Sequence, residues 1–137
     1  MSRENVEIVV GQFERFNSRD FDAIFDAWTD DVSLVAHGSW ALVGPTGREV
    51  VGREAVAEAF GDWFRQFGRG YQIEVDELHD LGDRVLVVAT DQGRGRTSGV
   101  PVAIQASYLY TLRERRISRM EIWDDRDAAL EAAGLGT

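Results

Sequence analysis

The sequence predicts an α+β fold in which helices cover the concave face of one curved antiparallel sheet. Two observations carry that expectation. Apolar residues recur at helical spacing through most of the first 67 positions, and four β-rich runs joined by short turn signals then fill residues 71–123. Short joints imply antiparallel hairpins, and helices grouped ahead of hairpins must bury their apolar stripes on a sheet face. The length of 137 residues suits a single domain, 1–137, able to build its own core.

The first helix is read from Val6, Val9, Val10, Phe13 and Phe16, with Ser2 placed to cap it. A second follows Asp20, with Phe21, Ile24, Phe25 and Trp28 on one face, and stops at Thr29-Asp30-Asp31. A strand is expected over 32–37. Gly38, Gly44, Pro45, Gly47 and Gly52 mark a long loop with room for a short strand at 40–43. The third helix, 53–67, carries Val56, Ala59, Phe60, Trp63, Phe64 and Phe67, and Gly68 and Gly70 end it. The four strands then run over 71–78, 84–94, 100–113 and 117–123, and a short helix over 126–133 closes at Gly134. A bent sheet with helices across its mouth encloses a cone, and a cone leaves a pocket.

Composition narrows the chemistry. Fifteen basic residues, all arginine, stand against 24 acidic ones, a net charge of -9. Such a surface repels phosphate backbones and anionic lipid, so neither nucleic acid nor a membrane is an expected partner. The absence of lysine excludes Schiff-base chemistry. The absence of cysteine excludes thiolate catalysis, disulfides and Cys-ligated metal. Two isolated histidines, His37 and His79, offer no metal-ligand spacing, so neither metal nor cofactor is expected. No apolar run nears the roughly 20 residues of a membrane span, and the first residues lack the layout of a signal peptide. A cytoplasmic location is expected.

Several strings, in order, resemble the SnoaL-like branch of the NTF2-like superfamily. They are Gly52-Arg53-Glu54-Ala55-Val56, then Gly93-Arg94-Gly95-Arg96-Thr97-Ser98-Gly99-Val100, then Ile117-Ser118-Arg119-Met120-Glu121-Ile122-Trp123-Asp124 with Ala128-Ala129-Leu130-Glu131-Ala132-Ala133-Gly134-Leu135 behind it. The resemblance spans nearly the whole chain. It implies an NTF2-like cone, three N-terminal helices on the concave face, a short C-terminal helix and a homodimer paired through the outer sheet face. That fold hosts polyketide cyclases, ketosteroid isomerases, limonene-type epoxide hydrolases and non-catalytic binders, so the site must choose among them.

Two acids stand out. Asp91 ends the apolar run Val85-Leu86-Val87-Val88-Ala89-Thr90 and shares a face with Val85, Val87 and Ala89. Facing the cone, it would be a desolvated carboxyl with a raised pKa; the alternative is a solvated strand-end acid. Glu121 sits mid-strand between Met120 and Ile122, on the face that alternation assigns to Ile117, Arg119 and Trp123. It is either a pocket acid or an ion-pair partner of Arg119. The resemblance to limonene-type epoxide hydrolases places that family's two acids at Asp91 and Glu121. Ala89 stands at its arginine, and Leu34 and Ala36 at its water-binding tyrosine and asparagine. The base aspartate of ketosteroid isomerases falls at Ala36, with His37 on the opposite face.

Tyr108, on one strand face with Tyr110, is a candidate hydrogen-bond donor to a ligand oxygen. Trp123, Trp40, His37, Trp63 and Phe13 are candidate ligand-binding walls, selecting an apolar, ring-bearing molecule. The expected function is a small-molecule pocket protein akin to SnoaL-like cyclases and isomerases. Asp91 and Glu121 would perform cofactor-free acid/base chemistry in it. A passive binder of an apolar metabolite, a domain filled by its own aromatics, and an epoxide hydrolase with an incomplete constellation stand as alternatives.

Overall fold

The structure, a computed structural model, describes residues 2–37, 49–64, 70–95 and 98–136. In chain order it has α1 (Ser2–Asn17), α2 (Phe21–Asp26), β1 (Trp28–Ala36), β2 (Glu49–Val51), α3 (Arg53–Phe64), β3 (Gln72–Asp80), β4 (Arg84–Arg94), β5 (Pro101–Arg113), β6 (Arg116–Trp123) and α4 (Arg126–Ala132). Asp20 caps α2 by accepting from the Ala23 N–H, and Asp125 caps α4 through the Asp127 N–H. The expected short strand at 40–43 lies outside the described residues.

The strands form one open sheet in the order β2-β1-β6-β5-β4-β3. Strands β3 to β6 make the expected antiparallel meander. The sheet is mixed, however, because β1 lies parallel to β6. Hairpin logic reads only neighbours in sequence, and this pairing joins the first strand to the last. Two boundaries also move. Trp28, expected on the second helix, opens β1, and β2 arises inside the expected loop. The Thr29-Asp30-Asp31 run falls where β1 loses register with β6, so its exposed acids mark an irregular strand as well as a helix end.

The hairpin between β5 and β6 turns on Glu114 and Arg115, whose φ values of 52° and 65° are those of a type I′ turn. On β6, Thr111 pairs with Arg119 but Leu112 pairs with Ile117, leaving Ser118 without an opposite residue. This bulge inverts the strand's alternation, so Ile117, Met120 and Ile122 all enter the same core.

That core fills the concave side. Val9, Phe13 and Phe16 from α1, Ile24 from α2 and Val56 from α3 meet Val85, Val87, Ala89, Ala106, Tyr108 and Tyr110 of the sheet. A smaller core lies on the convex side, where Leu86, Leu109 and Trp123 pack under Ala129 and Ala133 around α4. No described helix is long and apolar enough to cross a membrane.

Candidate functional site

The concave core does not close completely. A cavity of about 460 Å³ remains between the helices and the sheet, with Phe13, Phe16, Phe25, Trp28, Phe60 and Met120 in its wall. Its volume is that of a small-molecule site. Among the described residues no charged side chain lines it. The partly exposed Phe21 stands at its α2 edge.

Alternation along β4 carries Asp91 to this inner face with Val85, Val87 and Ala89, and the side chain is 1% exposed. Its carboxyl accepts from two phenols. Tyr71, just ahead of β3, donates to Oδ2. Tyr108 on β5 donates at 3.0 Å to Oδ1 and 3.2 Å to Oδ2. Burial pushes the Asp91 carboxyl up to about 6, even though both phenols favour its charged form. Burial foremost, then the Asp91 charge, lifts the Tyr108 hydroxyl well above the ordinary phenol range, and the same two causes lift Tyr110. The Tyr108 ring is part of the cavity wall, whereas Asp91 stands behind it. Phe13 meets Tyr108 and Tyr110 edge-on, with centroids 5.5 and 6.1 Å away.

A polar pair anchors another part of the wall. The Trp28 indole N–H donates to Gln12 Oε1 at 2.9 Å, and Gln12 Nε2 donates to the Ile24 carbonyl at 3.2 Å. An indole nitrogen only donates and a carbonyl only accepts, so the amide orientation is set. Neither Gln12 nor Tyr71 was among the residues singled out from sequence. Gln12 had a readable signal, because it sits on the apolar stripe of Val9, Phe13 and Phe16. Tyr71 had none, since its role depends on the strand beside it.

The structure brings Asp91, Tyr108 and Phe13 together, and places Glu121, His37 and Trp123 on the opposite face. Glu121 pairs across with Leu109, which belongs to the convex core. There His37 stacks on Trp123, with centroids 4.4 Å apart and planes 6° off parallel. His37 Nε2 lies 3.4 Å from Glu121 Oε1, and Arg119 Nε lies 3.6 Å from Glu121 Oε2 while also pairing with Glu49. The sequence expectation of two acids in one hollow is corrected accordingly, and the cause is the Ser118 bulge. Trp40 lies outside the described residues, as does the side chain of Trp63. Among the described residues, no three His, Asp or Glu side chains gather as a metal-ligand set.

The SnoaL-like domain family matches residues 9–120. TerC, solved with polyporic acid, is 24% identical with a TM-score of 0.75, over 96% of this chain and 98% of its own. A putative SnoaL-like polyketide cyclase from Jannaschia sp. CCS1 is 23% identical with a TM-score of 0.75, over 98% and 94%. RV0760c from Mycobacterium tuberculosis, solved with estradiol-17β-hemisuccinate, is 14% identical with a TM-score of 0.72, over 87% and 92%. No curated protein matches the chain.

Proposed function

This chain belongs to the SnoaL-like domain family, and from that premise we propose that it binds a small, apolar, ring-bearing molecule and moves a proton on it without a cofactor. The fold is NTF2-like, the architecture of a family of small-molecule-binding cyclases and isomerases. One observation carries the finer reading: a buried carboxyl, Asp91, is wired by hydrogen bond to a phenol, Tyr108, whose ring forms part of an apolar cavity wall. The small molecules named with TerC and RV0760c support small-molecule binding in this fold.

The arrangement suits a relay. With a pKa of about 6, Asp91 is ionised near neutral pH and still basic enough to accept a proton. As Tyr108 Oη takes a proton from the ligand, its own proton passes to Asp91. The two transfers are concerted, because a Tyr108 phenolate is strongly disfavoured in this setting. Reversal returns the proton to the ligand at the same or a neighbouring atom. Tyr71 holds the carboxyl in place as a positioning residue.

Deuterium exchange into the acidic α-positions of 2-tetralone, with nothing else added, tests this reading. Wild type should exchange the ketone faster than buffer, and Asp91→Asn should lose about 100-fold or more of that rate while still binding it. Binding without any accelerated exchange would leave the passive-binder reading. One observation favours that reading: Asp91 stands behind the wall rather than on it. A homodimer paired through the outer sheet face, beyond the area α4 covers, belongs to the same proposal and is tested by sedimentation.

A further inference from the structure

Four side chains bring a hydrogen-bonding group to the cavity wall: Gln12, Trp28, Tyr108 and Tyr110. Three are engaged. Trp28 and Gln12 bond each other, and Gln12 also donates to Ile24. Tyr108 donates its hydrogen bond to Asp91. Tyr110 differs. It is 6% exposed, its ring stacks 6.4 Å from that of Tyr108, and its hydroxyl has no hydrogen-bond partner among the described residues. A phenol O–H set in an apolar wall with no acceptor among the described residues is left to bond whatever occupies the cavity.

We propose that Tyr110 is the group that orients the ligand, by donating to an uncharged oxygen acceptor such as a ketone or quinone carbonyl. The inference rests on the pocket reading above and narrows it to apolar ring compounds that carry such an oxygen. The charge follows from the wall. No arginine or histidine lines the cavity among the described residues, and behind its wall Asp91 accepts from Tyr108. A ligand carboxylate would lose its hydration, meet no counter-ion among the described wall residues and face a like charge. A carbonyl suits what the wall has left, because it needs one donor and brings no proton of its own to be housed. Tyr108 and Tyr110 thus divide the work: one relays protons to Asp91 and the other holds the oxygen.

Three probes sharing one three-ring frame test the idea by calorimetry: fluorene, 9-fluorenone and fluorene-9-carboxylate. Wild type should bind fluorenone about five- to tenfold more tightly than fluorene, the worth of one neutral hydrogen bond. Tyr110→Phe should erase that preference and keep the affinity for fluorene, which also reports an intact fold. The infrared carbonyl stretch of bound fluorenone should lie lower in wild type than in Tyr110→Phe, and Tyr108→Phe should retain the preference. An unchanged preference in Tyr110→Phe, or one lost only in Tyr108→Phe, overturns the assignment. Equal binding of fluorene and fluorenone by wild type does so too, while leaving the pocket reading intact. Fluorene-9-carboxylate binding more tightly than fluorenone overturns the uncharged class. If none of the three binds, the pocket reading itself falls and this inference with it.

Discussion

Replacing Asp91 by asparagine should be better tolerated at neutral pH than at about pH 4. The Asp91 carboxyl is raised from 3.8 to about 6, chiefly by burial. Between those values the unfolded chain has released the Asp91 proton and the folded chain still holds it. Stability therefore falls as pH rises through that window, and the loss is complete above the folded value. In total it is about 3 kcal/mol, at about 1.4 kcal/mol per pH unit separating the two values. Asparagine keeps the shape and does not ionise in either state, so the loss disappears. Urea unfolding, followed by the fluorescence of the fully buried Trp28 and its fellow tryptophans, reads the effect. The unfolding free energy of Asp91→Asn minus that of wild type should climb by about 2–3 kcal/mol from about pH 4 to about pH 7 and then level off. Other titrating groups cancel in that difference. A difference constant to within about 0.5 kcal/mol over this range would mean that Asp91 titrates as an ordinary carboxyl. The dry relay would then be lost with it.

Other expectations follow from the same geometry. Glu121→Gln should cost under about 1 kcal/mol, because its pairs with His37 and Arg119 are partly exposed; it should leave 2-tetralone affinity unchanged, and a tenfold loss by calorimetry would return this acid to the site. Gly93→Ala sets a Cβ 2.7 Å from Tyr71 Cδ2 and 3.4 Å from its Cα. Urea unfolding should show a loss of about 1–3 kcal/mol, and a neutral outcome would remove Tyr71 from its place beside Asp91. The Arg126 fork draws the Glu77 carboxyl down to about 2. That pair stabilises the protein above about pH 4.5 and the contribution fades as pH falls toward about 2. Both side chains are about a third exposed, so screening holds the effect of Glu77→Gln under about 1 kcal/mol, and high salt in an acid-unfolding series should shrink it further.

Local period decided much of this protein in advance. The 3.6-residue spacing of Val9, Phe13 and Phe16 makes a helix with one buried stripe wherever it packs. The two-residue spacing of Val85, Val87, Ala89 and Asp91 sends the acid wherever those apolar neighbours go. The helix cap at Asp20 and the meander of β3 to β6 were equally legible, since each depends on residues close in sequence. Tertiary structure decided the rest. The parallel union of β1 with β6 joins chain segments some 85 residues apart, and only a shared core selects it. Tyr71 acquires its role because β3 lies against β4. Ile117 is buried, so plain alternation from it would carry Arg119, Glu121 and Trp123 inward as well. One unopposed residue, Ser118, reverses that phase and turns all three to the convex side. A bulge is a property of two paired strands, set by how β6 must lie on β5 to bury Ile117 and Met120 together, and a single strand's pattern does not contain it.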